Sequence, residues 1–190
     1  MTPARPASGR LSRIGDLGLL ALLLVIAGVL TAAIVLQYGY GEVPCPLCLL
    51  QRVAMFGVCF GVMRYFRQGD RTRSIGLGLV AALALLVIAG RQVLIDICPL
   101  PGRSYVGSAV FGLHMPVWSV VVALATIAAF TLHLVVVGDS GSPGTRPGPR
   151  VAGIAGGASL YVVALCAVNL VSALLQCGFG ECHRTGYSLL

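Results

Sequence analysis

The stretch that decides the fold is LGLLALLLVIAGVLTAAIVLQY, residues 17–38, which contains no charged side chain. About 20 consecutive apolar residues let a helix cross the roughly 30 Å hydrocarbon core of a bilayer. The rest of the chain has the same character, since its mean hydropathy is +0.94 and only 10% of its residues are charged. A water-soluble protein normally carries about 25% charged residues, so the sequence predicts an integral membrane protein.

Four further apolar segments approach or reach the length that a membrane span requires. The five predicted spans are residues 17–38, 47–63, 74–95, 116–137 and 151–176. Glycine, proline and short polar loops separate them, and loops this short leave no room for a soluble domain. We therefore expect an all-α integral membrane protein. The alternative of a cleaved signal peptide at residues 17–38 is disfavoured, because this apolar segment is too long and no small-residue cleavage site follows it.

The arginines indicate how the spans are oriented. The net charge of +7 comes from 13 arginines and no lysine against six acidic residues. Most of the arginines precede the first span or lie in the second and fourth interhelical loops, whereas the opposite loops hold only Arg103 and Arg184. This distribution is a topology signal, and we expect no nucleic-acid partner. The positive-inside rule predicts a cytoplasmic N-terminus and, with five spans, a periplasmic C-terminus.

That orientation places most of the cysteines on one oxidising face, where disulfides form and persist. The cysteines at or beyond the outer membrane surface are Cys45, Cys48, Cys98, Cys177 and Cys182. Cys59 and Cys166 fall within the second and fifth spans, and we expect both to be buried, inert thiols.

Cys45 and Cys48 precede or begin the second span in the sequence Pro44-Cys45-Pro46-Leu47-Cys48. At a helix N-terminus the helix dipole and the unpaired N–H groups favour a thiolate. The Cys-x-x-Cys spacing also permits a short, reversible disulfide. Half of a zinc site and an inert structural disulfide are the alternatives, and we expect no metal.

Arg52 follows Cys48 by four residues and therefore lies on the same helix face, one turn deeper. A fixed cation at this depth can stabilise a thiolate and the negative charge that develops on a quinone. The alternative is an interfacial arginine that only extends to the lipid headgroups. Arg91, near the same interface in the third span, is a second candidate for quinone binding.

Cys177 and Cys182 follow the last span, and the glycines between them permit the tight backbone that a disulfide there requires. A second, outward-facing pair is suited to receive electrons from a soluble partner. The alternative is a static disulfide that closes the C-terminal turn. Cys98 has no partner within its own loop, and three cysteines permit three pairings, so spacing alone leaves the choice open.

The segments CPLCLLQR, residues 45–52, and GLHMPVW, residues 112–118, resemble the bacterial disulfide bond formation protein B family, DsbB. The resemblance covers residues 15–137. It implies a four-helix quinone reductase that reoxidises a periplasmic thioredoxin-fold dithiol protein of the DsbA type, with ubiquinone or menaquinone as the acceptor. It also implies that Cys48 meets the quinone, that Arg52 binds it, and that Cys45 exchanges disulfides with the second pair through a mixed disulfide.

The chain departs from the family pattern at the second cysteine pair. The family carries that pair in the loop between spans three and four, where this chain has only Cys98. A fifth span instead brings Cys177 and Cys182 to the same face. The expected organisation is a DsbB-like four-helix core at residues 1–137, a flexible cytoplasmic loop at 138–150, and a fifth transmembrane helix with the C-terminal cysteine pair at 151–190.

The resulting hypothesis is a thiol:quinone oxidoreductase of the bacterial inner membrane that supports disulfide formation. One alternative is a membrane thiol carrier that reduces periplasmic disulfides, which would need electrons from the cytoplasmic side, where no paired cysteines are expected. The other is a non-enzymatic scaffold with structural disulfides, or a small-molecule pore. Few polar residues in the spans, Thr131 and Asn169 among them, would line such a pore.

Overall fold

The computed structural model describes residues 6–68, 70–97, 109–110, 112–137 and 148–178. Its five helices are α1 Pro6–Gly39, α2 Pro46–Arg67, α3 Arg71–Ile97, α4 Met115–Val136 and α5 Pro149–Cys177. Each has a segment long and apolar enough to cross a membrane. The predicted all-α membrane fold with five spans is thus confirmed. α1 begins well before the predicted first span, whereas the other four helices match their predicted spans closely.

Local sequence explains where several helices begin and end. Pro46, Pro116 and Pro149 lie in the first turns of α2, α4 and α5, where a missing N–H breaks no intrahelical hydrogen bond. Gly178 caps the C-terminal end of α5, with a φ of 57° that a residue with a side chain rarely adopts. Before α4, strands β1 (Ala109–Val110) and β2 (Leu113–His114) form a short antiparallel hairpin.

Small residues allow α2 and α3 to pack closely. A Cβ atom added at Gly61 of α2 would lie only 2.6 Å from the Cα atom of Gly78 in α3. On α3, Gly78 also lies beneath the ring of Phe130 from α4, a side chain with no exposed surface. Close backbone approach through small residues is the usual way in which membrane helices gain van der Waals contact. α3 therefore packs closely against α2 on one side and against α4 on the other.

α1 completes a four-helix arrangement by packing against α2 and α4, and α5 lies along the seam between α1 and α2. Two hydroxyl contacts join α5 to α1, one between Tyr161 and Thr31 and one between Ser172 and Tyr38. The outward faces carry large apolar side chains such as Val87 and Val135. These faces suit contact with lipid tails.

A polar cluster ties the helices together at the end of the bundle opposite the Cys-x-x-Cys pair. The Tyr65 hydroxyl donates a hydrogen bond of 2.8 Å to the Asp16 carboxylate, and the Tyr65 ring meets the His133 ring edge to face. The Arg71 guanidinium lies 5.2 Å from the centre of the Tyr65 ring. This cluster joins α1, α2, α3 and α4 and is remote from the cysteine pair.

Candidate functional site

Cys45 caps the N-terminus of α2, and its position follows from the two prolines around it. Its backbone is extended, with φ −70° and ψ 157°, as expected for a residue that precedes a proline. Its sulfur accepts a 3.1 Å hydrogen bond from the Cys48 N–H, one of the unpaired donors of the first helical turn. Cys45 and Cys48 are joined by a disulfide, with their Cα atoms 5.0 Å apart.

Arg52 lies one turn below Cys48, and its side chain is only 8% exposed. Its guanidinium donates to the Gln37 side-chain oxygen at 2.6 Å and to the Ala33 carbonyl at 3.0 Å, both on α1. It also donates to the Asn169 side-chain oxygen on α5 at 3.5 Å. A buried charge is stable only when its donors are satisfied, so α1 and α5 together hold this cation in place.

A pocket of about 770 Å³ opens between α1, α2 and α4 and reaches both Cys48 and Arg52. Aliphatic side chains of α1 and α4, such as Val29 and Val122, form much of its wall, and Trp118 lines it near the start of α4. The polar and charged side chains in the lining are Gln37, Glu42, Gln51, Arg52 and Ser119. The site is therefore an apolar cavity whose polar groups include the disulfide and a buried cation.

α3 and α5 do not line this pocket but support it from behind. On α3, the Gln92 amide donates to the sulfurs of Cys45 and Cys48 at 3.4 and 3.7 Å. On α5, the Gln176 amide donates to the Pro44 carbonyl at 2.6 Å. The C-terminal end of α5 is thereby held against the residue that precedes the cysteine pair.

The remaining predicted site residues fall in different places. Cys177 follows Gln176 directly, at the end of α5, and is disulfide-bonded. Cys98 and Cys182 lie outside the described residues, so the pairing among these three cysteines stays open. Arg91 is exposed on α3 and does not line the pocket, although its neighbour Gln92 contacts the cysteine pair.

The two cysteines predicted to be buried within the spans differ in the structure. Cys59 is buried, whereas Cys166 is exposed on α5, so the expected burial is wrong for Cys166. The reason is helical periodicity. The buried residues of α5, Leu165 and Asn169 among them, recur every three or four positions and face α1 and α2, and Cys166 lies off this stripe.

Sequence reasoning missed the polar side chains that surround the reactive groups. They are Gln37, Gln51, Gln92, Ser119 and Gln176. Asn169 is also buried beside Arg52, whereas the sequence suggests it only as a residue of a pore. A signal was present, because a buried amide within an apolar span requires a partner and often marks a functional site. Which partner each amide finds depends on helix packing, and the sequence does not give that packing.

Fold and site together define a class, namely all-α multi-pass membrane proteins with a Cys-x-x-Cys disulfide beside a buried arginine. Residues 16–106 match the family described as "Disulfide bond formation protein DsbB". This segment, which holds most of α1 and all of α2 and α3, is similar to the DsbB family. The family match ends before the GLHMPVW segment at residues 112–118 and before α4 and α5.

Several curated relatives carry the name "Disulfide bond formation protein B". One from Cupriavidus metallidurans is 38% identical over 63 residues, which is 33% of this chain and 39% of the relative. One from Marinobacter nauticus is 41% identical over 80 residues, 40% of this chain and 48% of the relative. One from Chromohalobacter salexigens is 34% identical over 116 residues, 54% of this chain and 64% of the relative.

The chain thus spans about half the length of the curated relatives it matches. No solved structure matches it.

Proposed function

We propose that this protein is a thiol:quinone oxidoreductase that generates disulfides in the bacterial inner membrane. In this proposal a periplasmic thioredoxin-fold dithiol protein of the DsbA type delivers electrons, and a membrane quinone receives them. The main observation behind the proposal is that Cys48 and the buried Arg52 line the same pocket. The similarity of residues 16–106 to the DsbB family supports it.

The residues around the pocket fit a quinone. The pocket volume of about 770 Å³ is within the range of roughly 300 to 1,000 Å³ that is usual for small-ligand sites. Its aliphatic walls suit a ring with an isoprenoid chain, and the buried Arg52 offers a cation for a ring oxygen. A bound quinone would supply a two-electron acceptor, either ubiquinone or menaquinone.

The protein's own groups would then perform defined tasks. Oxidation of the Cys45 and Cys48 thiols forms their S–S bond and releases two electrons and two protons, which convert one quinone to the quinol. Arg52 would bind the acceptor and favour negative charge beside Cys48, because hydrogen-bond donors held in place stabilise charge without reorganising. Thiol–disulfide exchange at Cys45 returns the pair to the dithiol.

The C-terminal cysteines are the proposed route by which electrons reach Cys45. The contact between Gln176 and the Pro44 carbonyl supports this route, since Cys177 is the next residue along the chain. Cys177 and Cys182, with Cys98, would exchange disulfides with the soluble partner. This arrangement also requires the periplasmic C-terminus and cytoplasmic N-terminus that the arginine distribution predicts.

The decisive experiment is anaerobic quinone reduction by the purified protein, with a reduced thioredoxin-fold dithiol protein as the electron donor. We expect turnover in the wild type and none in Cys48→Ser. No turnover with any dithiol donor would refute the proposal and would favour purely structural disulfides.

Two arginine variants test which cation binds the acceptor. Arg52→Ala should raise the quinone KM while disulfide exchange with the thiol substrate persists. Arg91→Ala should leave the quinone KM unchanged, because this side chain is exposed on α3 and does not line the pocket. An unchanged KM in Arg52→Ala would refute the role of Arg52, and a raised KM in Arg91→Ala would restore Arg91 as a binding residue.

A further inference from the structure

A chain of hydrogen bonds runs through three helices and ends at the cysteine pair. The Ser119 hydroxyl on α4 donates to the Gln51 side-chain oxygen at 2.8 Å. The Gln51 amide on α2 donates to the Gln92 side-chain oxygen on α3 at 2.7 Å. The Gln92 amide then donates to Cys45 and Cys48 at 3.4 and 3.7 Å. We call Ser119, Gln51 and Gln92 the relay.

Because the relay ends at a disulfide, the donor and the acceptor of its hydrogen bonds can be assigned. A disulfide sulfur accepts hydrogen bonds but has no hydrogen to donate, so the Gln92 group that faces it must be the NH₂. The Gln92 oxygen then faces Gln51 and requires a donor, which must be the Gln51 NH₂. The Gln51 oxygen in turn accepts from the Ser119 hydroxyl at 2.8 Å, a shorter distance than the 3.3 Å from that hydroxyl to the Met115 carbonyl of its own helix. The relay therefore presents an N–H group to the sulfurs and no acceptor.

The three relay residues are buried, so their hydrogen bonds are not replaced by bonds to water. Ser119, Gln51 and Gln92 are 8%, 5% and 6% exposed, and polar groups so far from water are stable only when hydrogen-bonded. The fixed Gln92 donor suits a disulfide sulfur and suits a thiolate better, since hydrogen bonds to charged groups are about twice as strong as those to neutral ones. A neutral thiol that directs its hydrogen towards the relay would meet another donor.

We propose that Gln92 is a catalytic residue that stabilises the reduced, thiolate form of the Cys45–Cys48 pair, with Gln51 and Ser119 as its positioning residues. This inference rests on the proposed function, and it identifies a residue that helps to set the reduction potential of the Cys45–Cys48 disulfide. Stabilising the reduced form raises the reduction potential of a disulfide. A higher potential lets this pair accept electrons from a partner that is itself strongly oxidising.

The relay is separate from the contacts that hold Arg52. Arg52 donates to Gln37, Ala33 and Asn169, which belong to α1 and α5. The relay residues belong to α2, α3 and α4. Gln51 and Ser119 also line the pocket, whereas Gln92 does not, so Gln92 can be altered without changing the pocket wall.

The test is the equilibrium of the Cys45–Cys48 disulfide with glutathione, measured on the full-length protein in detergent without quinone or partner. In this reaction two glutathione thiols become glutathione disulfide, and the protein S–S bond becomes two thiols. The fraction reduced is read by alkylation and mass spectrometry of the peptide that holds both cysteines. Because neither quinone nor partner is present, this readout is independent of whether the protein reduces quinone.

Gln92→Met keeps the length of the side chain but removes the donor. We expect the equilibrium constant for reduction to fall about tenfold, equivalent to about 30 mV for a two-electron couple. Gln92→Glu should lower it further, because a carboxylate repels the thiolate. In both variants the pH midpoint for thiol alkylation should move to higher values.

Ser119→Ala tests the far end of the relay with a smaller structural change and should lower the constant by a factor of about two to three. Ser159→Ala is the matched control, a buried serine on α5 that bonds to the Ala155 carbonyl of its own helix; it should change nothing. Wild-type constants in folded Gln92→Met and Gln92→Glu would overturn the proposal. Equal shifts in Ser119→Ala and Ser159→Ala would remove Ser119 from the relay.

Discussion

Replacing Gln37 with methionine removes an acceptor that lies close to the Arg52 guanidinium. The two side chains meet at 2.6 Å, and Gln37 is itself only 2% exposed. A hydrogen bond to a charged group contributes about 1.5–3 kcal/mol, and each 1.4 kcal/mol is a factor of ten in an equilibrium constant. Complete loss of this contribution would therefore weaken quinone binding by roughly 10- to 150-fold.

The lower end of that range is the expected result, because other acceptors remain. The Ala33 carbonyl still accepts at 3.0 Å and keeps part of the guanidinium in place. We expect the quinone KM of Gln37→Met to rise about tenfold with little change in kcat. Asn169 accepts at 3.5 Å, the limit of a hydrogen bond, so Asn169→Leu should raise KM less than about threefold.

The assay is steady-state reduction of a short-chain quinone by a small dithiol, with purified protein in detergent. Gln68→Met is the matched control, since Gln68 is exposed at the opposite end of α2. A wild-type KM in folded Gln37→Met would refute the view that Gln37 positions the cation for the acceptor. A rise of the same size in Gln68→Met would assign the effect to loss of a glutamine in general.

Three further predictions concern the electron route, the helix packing and the topology. The double variant Cys177→Ser, Cys182→Ser should lose oxidation of the protein partner but retain quinone reduction by a small dithiol; full activity with the partner would make the pair structural. Gly61→Ala should destabilise the bundle by ~1–3 kcal/mol through overpacking against α3. Gly76→Ala, where a Cβ meets no atom within 4 Å, should leave the thermal midpoint unchanged, and equal midpoints in the two variants would contradict this reasoning. After reduction of spheroplasts, a membrane-impermeant maleimide should label Cys45 from outside, whereas labelling only after permeabilisation would invert the proposed topology.

Several features of the protein could be predicted from sequence because they depend on local composition. The five spans follow from apolar length alone, since a bilayer accepts only segments whose backbone hydrogen bonds are satisfied internally. The place of Cys45 at the start of α2 follows from the prolines on either side of it. The spacing from Cys48 to Arg52 predicts a shared helix face without any tertiary information.

Helix packing determined the surroundings of the cysteine pair and of Arg52, because it selects which buried polar groups meet. Gln92 and Arg91 are adjacent in the sequence, yet the rotation of α3 directs Gln92 to the cysteine pair and leaves Arg91 exposed. The fifth helix lies outside the segment that matches the family, yet its Asn169 reaches the buried Arg52. The sequence alone determined a five-span membrane chain with a cysteine pair above an arginine. Only the tertiary structure determined which side chains hold that pair and that cation, because a buried hydrogen bond joins residues far apart in the chain.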